Sequence, residues 1–274
     1  NLLFYFIDNL DDFERIIIDK EFSKLKGIQP VCFPFLQESE DEIVYGYKSL
    51  KVNIFINILN MNIYLHIEGE ASENASISIE DLQNKITSLV PGIAVKMTDL
   101  KYFKDSFNNK AFNNSDKSNE IQIIEIHSDK SCEFEIYSSN QIVSTSNNES
   151  LLSVILGFQF LVLFFIETGS LVEYEDTKWG YLILLEEQRI IGFLSFYKFN
   201  INYEDFKIRI SQMVINPNFQ NKGFGSKLLE SFYNKYLNTK ECKQISVEDP
   251  NDSFIFLQFK LFFQMLPIIF KKCK

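Results

Sequence analysis

The stretch MVINPNFQNKGFGSKLL, residues 213–229, marks a turn from a strand to a helix. An apolar run ends at Asn216, two glycines follow at Gly223 and Gly225, and a segment with helical apolar spacing comes next. The first backbone N–H groups of a helix lack intrahelical partners and lie at its positive end. Glycines there let a ligand approach the backbone closely. The stretch therefore fits a phosphate cradle, although the two glycines alone fit an ordinary structural turn equally well.

The elements on either side of this turn alternate regularly and predict the fold class. After a buried helix over 151–168, the pattern predicts strands near 179–187, 189–199 and 207–216, a helix over about 223–237, a short strand in KQISVEDP (243–250) and a final helix from Asn251. A strand–helix–strand order after residue 207 requires a crossover between parallel strands. The predicted class is α/β (α+β), with a mixed, partly parallel central sheet in this half of the chain.

The first half predicts a separate mixed α/β domain. Residues 51–70 alternate apolar and polar side chains as a hairpin does, and Ser78 stands three residues before Asp81 as the cap of an amphipathic helix. Two further strand-like segments, IQIIEI and CEFEIYS, lie between polar stretches. The second polar stretch ends at Ser150 and is the predicted boundary. The predicted domains are therefore 1–145 and 146–274.

The charge of the chain bears on its partners. The chain has 274 residues, 46% of them hydrophobic, and a formal net charge of -10. This apolar content is sufficient for a substantial core. A negative charge disfavours wholesale binding to nucleic-acid phosphates and favours a cationic partner. We therefore predict no direct nucleic-acid binding, with simple solubility as the alternative reason for the charge.

Metal, disulfide and membrane sites are disfavoured by the sequence. The four cysteines lie far apart without a CxxC pair, and the two histidines, His66 and His127, lie in strand-like apolar runs. The most apolar stretch, residues 151–166, is shorter than the ~20 residues of a membrane-spanning helix and contains Gln159. We expect a buried helix there, no metal, no membrane association and a reduced intracellular protein.

The sequence from Gln220 to Gly225, QNKGFG, resembles the Q/R-x-x-G-x-G/A turn of the GNAT acetyltransferases, which binds the pyrophosphate of coenzyme A. It matches neither a P-loop, since GxxxxGK is missing, nor a dinucleotide fingerprint, since Leu228 replaces the third glycine. Five segments, FIETGS, YGYKSLK, RISQMVI, FQNKGFGSKLLE and ISVEDPN, resemble the catalytic subunit of the type B histone acetyltransferases. The resemblance covers most of the chain and is weakest before Gln29 and over 106–150.

The resemblance implies acetyl-CoA as cosubstrate and assigns residues to it. Met213, Val214 and Ile215 are then the strand edge that pairs with the acetyl and pantetheine arm, and a backbone N–H of this edge meets the developing oxyanion. The implied pyrophosphate cradle consists of Gln220, Asn221, Lys222, Gly223, Phe224, Gly225 and Ser226. Asn251 matches a position that contacts the cofactor in part of the family.

Acetyl transfer to lysine requires the neutral amine, and the reference pKa of lysine is about 10.4, so a positioned base is useful. The resemblance implies Glu248 as the favoured base, with Asp249 and Glu167 as base, relay or lysine-orienting groups. A helix cap is an equally good interpretation of Asp249, and a structural hydrogen bond is one for Glu167. Cys242 has no histidine near it in sequence, so we expect direct attack in a ternary complex rather than an acetyl-cysteine route.

The resemblance further implies N-terminal-tail lysines of newly made histone H4 as substrate and a WD-repeat histone chaperone as partner. Tyr197, Lys198 and Phe199 match histone-contacting positions, as does the acidic segment ESEDE, which contains Asp41 and Glu42. We expect the protein in the cytoplasm and the nucleus. Two alternatives stay open: a GNAT enzyme that acts on another amine, and a catalytically weak histone-binding module that retains the fold.

Overall fold

A computed structural model describes residues 1–19, 26–36, 44–93, 96–109, 121–129, 132–139 and 149–272. The chain divides into two compact units, and each unit has a sheet of its own. The first unit contains residues 1–116, 145–172 and 188–190. The second contains residues 117–144, 173–187 and 191–274.

The first unit is built on a three-stranded sheet. Its elements are β1 (Leu2–Ile7), α1 (Leu10–Asp19), β2 (Tyr47–Asn57), β3 (Asn62–Ala71), α2 (Ile79–Ser88), α3 (Leu100–Asp105) and α4 (Glu149–Phe165). Strand β1 runs parallel to β2, and β2 and β3 form an antiparallel hairpin that confirms the predicted one. The predicted cap of α2 is also confirmed, because the Asp81 N–H donates to the Ser78 hydroxyl oxygen over 3.0 Å.

Helix α4 is the buried helix that the apolar stretch predicts. Gly157 lets it lie close to the turn between β2 and β3, since an added Cβ atom would stand 2.5 Å from the Met61 carbonyl oxygen. Gln159 is buried in this helix, and its Oε1 atom accepts a hydrogen bond from the Val172 N–H over 2.9 Å. This bond explains how an apolar helix tolerates a buried amide. Among the described residues, no helix has both the length and the apolar character that a membrane crossing requires.

The second unit is built on a six-stranded sheet in the order β4-β5-β6-β7-β8-β9. Its elements are β4 (Ile121–Asp129), β5 (Cys132–Ser139), β6 (Trp179–Glu186), β7 (Arg189–Asn200), β8 (Phe206–Ile215), α5 (Phe224–Leu237), β9 (Cys242–Val247) and α6 (Asp252–Lys272). Strands β7 and β8 run antiparallel, whereas β8 and β9 run parallel, so the sheet is mixed. Helix α5 connects the two parallel strands. The predicted α/β class with a partly parallel sheet is confirmed.

The two units divide the chain differently from the predicted boundary at residue 145/146. Strand β5 pairs with β6 from Phe134–Glu186 to Ser139–Tyr181, and this pairing joins the β4–β5 hairpin to the second sheet. Helix α4 belongs to the first unit instead. The predicted boundary followed local composition, whereas sheet membership depends on hydrogen bonds between strands that are distant in sequence.

Helix α5 packs its apolar face onto the second sheet. Leu228 and Phe232 of α5 are fully buried in one core cluster with Ile208 and Ile210 of β8. The rings of Phe196 and Phe232 lie 5.3 Å apart in an edge-to-face arrangement. This core holds the N-terminus of α5 against the end of β8, where the predicted cradle lies.

Candidate active site

Strands β8 and β9 pair over only part of their length. Their register ends at Ile210–Val247, and the last bond runs from the Glu248 N–H to the Ile210 carbonyl oxygen over 2.9 Å. On its other side β8 stays paired with β7 as far as Ile215. Among the strands that the structure describes, the segment Met213–Ile215 therefore has a partner on one side only. An extended ligand can add to such an edge through backbone hydrogen bonds.

A β-bulge lies at the point where the two strands part. The register of β7 and β8 passes from Phe196–Ile210 to Ser195–Gln212, which leaves Ser211 as the extra residue of β8. Ile210 belongs to the core cluster of α5 and Met213 packs against it, although the two lie three positions apart and a regular strand would place them on opposite faces. After the bulge, the odd-numbered residues of β8 face α5, whereas before it the even-numbered ones do. Ser211 is the extra residue and lies at the start of the open edge.

The predicted cradle begins where β8 ends. The side chain of Gln220 donates from Nε2 to the Ile215 carbonyl oxygen over 3.0 Å and so ties the turn to the strand. Gly223 is the N-cap of α5 with φ +87, and no side chain caps the helix there. An added Cβ atom at Gly223 would meet nothing within 4 Å. The helix N-terminus thus lacks a side-chain cap and has open space beside Gly223, which fits a pyrophosphate.

The neighbouring cradle residues differ in what their side chains contact. An added Cβ atom on Gly225 would stand 3.3 Å from Met213 Cε, so this glycine brings the helix close to the open strand edge. Phe224 is buried with 5% exposure, and its ring packs 6.0 Å from that of Phe219, so only its backbone faces the turn. The ammonium of Lys222 lies 5.0 Å over the Phe219 ring.

Glu248, the favoured base, follows β9 directly and lies beside Ser211. Its carboxylate accepts a hydrogen bond from the Ser211 hydroxyl at Oε2 over 2.6 Å, and Arg209 lies 3.6 Å from Oε1. The side chain of Glu248 is 44% exposed, so a substrate can reach it. Asp249 comes next with φ +35 and is exposed. Within the described residues, no group of histidine, cysteine or carboxylate side chains is arranged to hold a metal ion.

Glu167 belongs to the first unit and follows the end of α4. Its charge acts on Cys32, whose pKa is raised first by burial and then by Glu167. The Cys32 N–H donates to the Phe164 carbonyl oxygen over 3.0 Å, so the C-terminal turn of α4 and Cys32 are held together. A role for Glu167 in catalysis or lysine recognition stays a prediction.

A surface pocket of about 480 Å³ adjoins Glu248. Its lining residues come from β7, β8, β9 and the segment after β9: Phe199, Lys207, Arg209, Gln244, Ser246, Val247, Glu248 and Asp249. The Arg209 guanidinium and the Lys207 ammonium lie 5.0 Å and 5.6 Å from the centroid of the Phe199 ring. The pocket therefore combines an aromatic ring, two cations and two carboxylates beside the candidate base.

Two of the three predicted substrate-contacting residues on β7 share a face. The rings of Tyr197 and Phe199 lie 4.7 Å apart, and the Tyr197 hydroxyl donates to Asp176 over 2.8 Å. Hydrogen bonds from the Lys178 N–H and from the Tyr197 hydroxyl lower the pKa of Asp176. The hydrogen bond between Tyr197 and Asp176 also raises the pKa of Tyr197. The ammonium of Lys198 instead lies 4.0 Å over the Phe206 ring, apart from this aromatic pair. Asp41 and Glu42 lie outside the described residues.

The helix that follows Asp249 is capped by Asn251, which corrects the interpretation of Asp249 as the cap. The Phe254 N–H donates to Asn251 Oδ1 over 2.9 Å, and the Ile255 N–H donates to the Asn251 carbonyl oxygen over 3.0 Å. Asp249 lies too early, because it has a positive φ itself and Pro250 and Asn251 separate it from α6. Asn251 was predicted to contact the cofactor, and its Oδ1 atom is engaged in this cap.

We expect Asn251→Ala to lower the free energy of unfolding by about 1 kcal/mol, because the first turn of α6 loses its side-chain acceptor. Chemical denaturation measures the difference. Asp249→Asn is the matched control and should leave stability nearly unchanged, since asparagine tolerates a positive φ at least as well as aspartate. Equal losses in both variants would contradict the assignment of the cap to Asn251.

Sequence reasoning missed Arg209 and Ser211 as members of this site. Both belong to RISQMVI, a segment that carries the family resemblance and lies in the predicted strand near 207–216. A signal was present, because two polar residues at i and i+2 lie next to the parallel strand that ends at Val247, directly before Glu248. Only the register of β8 and β9 shows that Ser211 follows the last strand pair and reaches that carboxylate.

The sequence is similar to one group of acetyltransferases. Residues 30–167 match the family described as histone acetyl transferase HAT1 N-terminus, and residues 155–255 match the GNAT acetyltransferase family. Relatives named histone acetyltransferase type B catalytic subunit include that of Candida albicans, 28% identical over 78% of this chain and 54% of the relative. The Arabidopsis thaliana protein is 25% identical over 85% of this chain and 51% of the relative. The Homo sapiens protein is 24% identical over 80% of this chain and 54% of the relative. The chain thus spans about half the length of the curated relatives it matches.

Proposed function

Because the chain belongs to the type B histone acetyltransferase catalytic-subunit family, we propose that it transfers acetyl groups from acetyl-CoA to lysines in the N-terminal tail of newly made histone H4. The lysine attacks directly in a ternary complex. The observation that carries this proposal is the Glu248 carboxylate, which lies where β8 and β9 part and beside the open edge of β8. The site thus offers a proton acceptor next to a backbone edge and a helix N-terminus.

The second unit holds acetyl-CoA, which supplies the acetyl group as an activated thioester when bound. The backbone of Met213–Ile215 binds the acyl and pantetheine part, since this edge of β8 lacks a strand partner among the described strands. The turn from Gln220 to Ser226 binds the pyrophosphate with the first N–H groups of α5. Gly223 supports this assignment, because its positive φ and the free space beside it suit close approach of a phosphate.

Glu248 accepts the proton that the substrate lysine loses. With a reference pKa of about 10.4, roughly one lysine amine in a thousand is neutral near pH 7.4, so the base raises the reactive fraction at the moment of attack. Ser211 donates a hydrogen bond to one carboxylate oxygen, and Arg209 lies 3.6 Å from the other. Asp249 lines the same pocket and assists by receiving or relaying the proton.

The histone tail binds along the face that carries Tyr197 and Phe199, next to the pocket beside Glu248. The aromatic pair offers a surface for the aliphatic part of lysine side chains, and Asp176 adds a carboxylate beside it. The net charge of -10 supports attraction of a basic tail. As in the sequence-based expectation, we propose a WD-repeat histone chaperone as partner and a location in the cytoplasm and nucleus.

Incubation with acetyl-CoA and an H4 N-terminal-tail peptide is expected to give acetyl-lysine that mass spectrometry can locate. The kcat/KM for the peptide should exceed that for spermidine by about tenfold or more, because the small polyamine forgoes most of the groove contacts. A peptide with every lysine replaced by arginine keeps the charge and should remain unmodified. Preference for spermidine would favour an enzyme of another amine. Peptide binding without turnover would favour a histone-binding module.

A further inference from the structure

We propose that Ser211 is a positioning residue, which holds the Glu248 carboxylate in the orientation that accepts the substrate proton. This role rests on the proposed function. The carrying observation is the 2.6 Å hydrogen bond from the Ser211 hydroxyl to Glu248 Oε2. A hydroxyl bonded to a charged acceptor makes one of the stronger side-chain hydrogen bonds.

Glu248 needs such a contact because its own segment does not fix its side chain. It follows the last residue of β9, precedes Asp249 with φ +35, and is 44% exposed. A half-exposed glutamate samples several rotamers in water. The Ser211 hydroxyl restricts this freedom by binding one oxygen, and Arg209 lies 3.6 Å from the other.

The bulge at Ser211 explains why this serine reaches the carboxylate. The parallel register runs through Arg209–Ser246 and Ile210–Val247, so Ser211 and Glu248 are the next two residues along the strands. As the extra residue of the bulge, Ser211 has no register partner on β7. Bulges commonly re-aim a side chain beside an active site, and here the side chain is aimed at the candidate base.

Arg209 lies on the other side of the same carboxylate, beside Oε1. Its guanidinium lies 5.0 Å from the centroid of the Phe199 ring, in the pocket beside Glu248. The Arg209 side chain is 45% exposed and its guanidinium lies 3.6 Å from the carboxylate, so solvent weakens this ion pair. The shorter contact from Ser211 is therefore the one that we expect to set the orientation of Glu248.

Ser211→Ala is expected to lower kcat on the H4 peptide by about tenfold, since a hydrogen bond to a charged group is lost from the reacting arrangement. The KM for acetyl-CoA should change by less than about twofold, because the cofactor edge and cradle are untouched. Ser211→Thr keeps the hydroxyl and suits a strand, so it should recover most of the loss. Ser195→Ala is the matched control, because the hydroxyl of this β7 residue donates to the Gln212 side chain of β8 and not to Glu248.

A double-mutant cycle separates this role from a general structural one. If Ser211 acts through Glu248, Ser211→Ala should cause no further loss of kcat in a Glu248→Gln background. Losses that multiply, or a Ser211→Ala variant with wild-type kcat, would overturn the inference while leaving the proposed function intact. A folded wild-type protein that binds acetyl-CoA but acetylates neither peptide nor spermidine would overturn the proposed function itself, and this role with it.

Discussion

Glu248→Gln is expected to lower kcat on the H4 peptide by about 10²–10⁴-fold, the range seen when general-base assistance is lost. Glutamine keeps the shape of the side chain, and its amide oxygen can still accept the hydrogen bond from Ser211. The amide cannot take up the lysine proton. Affinity for acetyl-CoA should stay nearly constant, because the open edge of β8 and the cradle do not include Glu248. Steady-state kinetics and calorimetry measure the two quantities separately.

The pH dependence gives this prediction a second readout. Activity of Glu248→Gln should recover partly at high pH, where a larger fraction of the substrate lysine is already neutral. A variant damaged only in its fold would show no such recovery. Ser195→Ala serves as a control for changes near β8 that leave the carboxylate in place.

Variants of the other two carboxylates rank their contributions. We expect Glu248→Gln to be the most damaging, followed by Glu167→Gln and then Asp249→Asn. Glu248 and Asp249 line the same pocket, and neighbouring carboxylates share protons, so a pH profile reports this pair rather than one residue. If Glu248→Gln kept near-normal turnover at neutral pH while Glu167→Gln lost it, Glu167 would be the base and Glu248 the assisting group.

The parts of the fold that follow local rules were predictable from the sequence. The hairpin of β2 and β3 follows from two-residue alternation, and the cap at Ser78 from a serine three residues before Asp81. The strand, turn and helix around Gly223 follow in the same way from an apolar run, two glycines and a helical repeat. These signals lie within a few residues of the structure they determine.

The parts that depend on pairing between distant strands were not predictable. The two units differ from the predicted division at 145/146 because β5 pairs with β6, which lies more than forty residues further along the chain. Local composition does not determine which distant strands pair. The bulge at Ser211 is likewise a property of the β7–β8 register. The contact of Ser211 with Glu248 depends on both that bulge and the β8–β9 register, so sequence alone did not reveal it.

Two features of the structure had signals that the sequence already contained. Lys198 lies between Tyr197 and Phe199, and strand alternation alone directs its side chain to the other face. Asn251 immediately precedes Asp252, the first residue of α6, which is the usual place of a cap. Pro250 favours a cap at Asp249 instead, since proline is frequent in the first turn of helices.

Gly223→Val is expected to abolish measurable binding of acetyl-CoA while the chain stays folded. The branched side chain would project from the N-cap of α5 into space that is free within 4 Å of the added Cβ atom. A phosphate bound by the first N–H groups of the helix would need that same space. Valine also opposes the backbone there, since φ +87 lies in the left-handed region and costs a β-branched residue about 1–3 kcal/mol.

Backbone strain at residue 223 and obstruction of the phosphate site predict different affinities for acetyl-CoA in a second variant. Comparing the two variants therefore identifies why binding is lost. Gly223→Asn relieves most of the strain, because asparagine tolerates a positive φ, yet it still places a side chain in the space beside the helix N-terminus. If the cradle binds the pyrophosphate, calorimetry should show weak or absent binding in both variants, with thermal stability lowered mainly in the valine one. Recovery of affinity with asparagine would assign the loss to a deformed turn. Unchanged affinity in a folded Gly223→Val protein would place the pyrophosphate elsewhere, because no ligand that depends on close approach to this backbone can share the site with an isopropyl group.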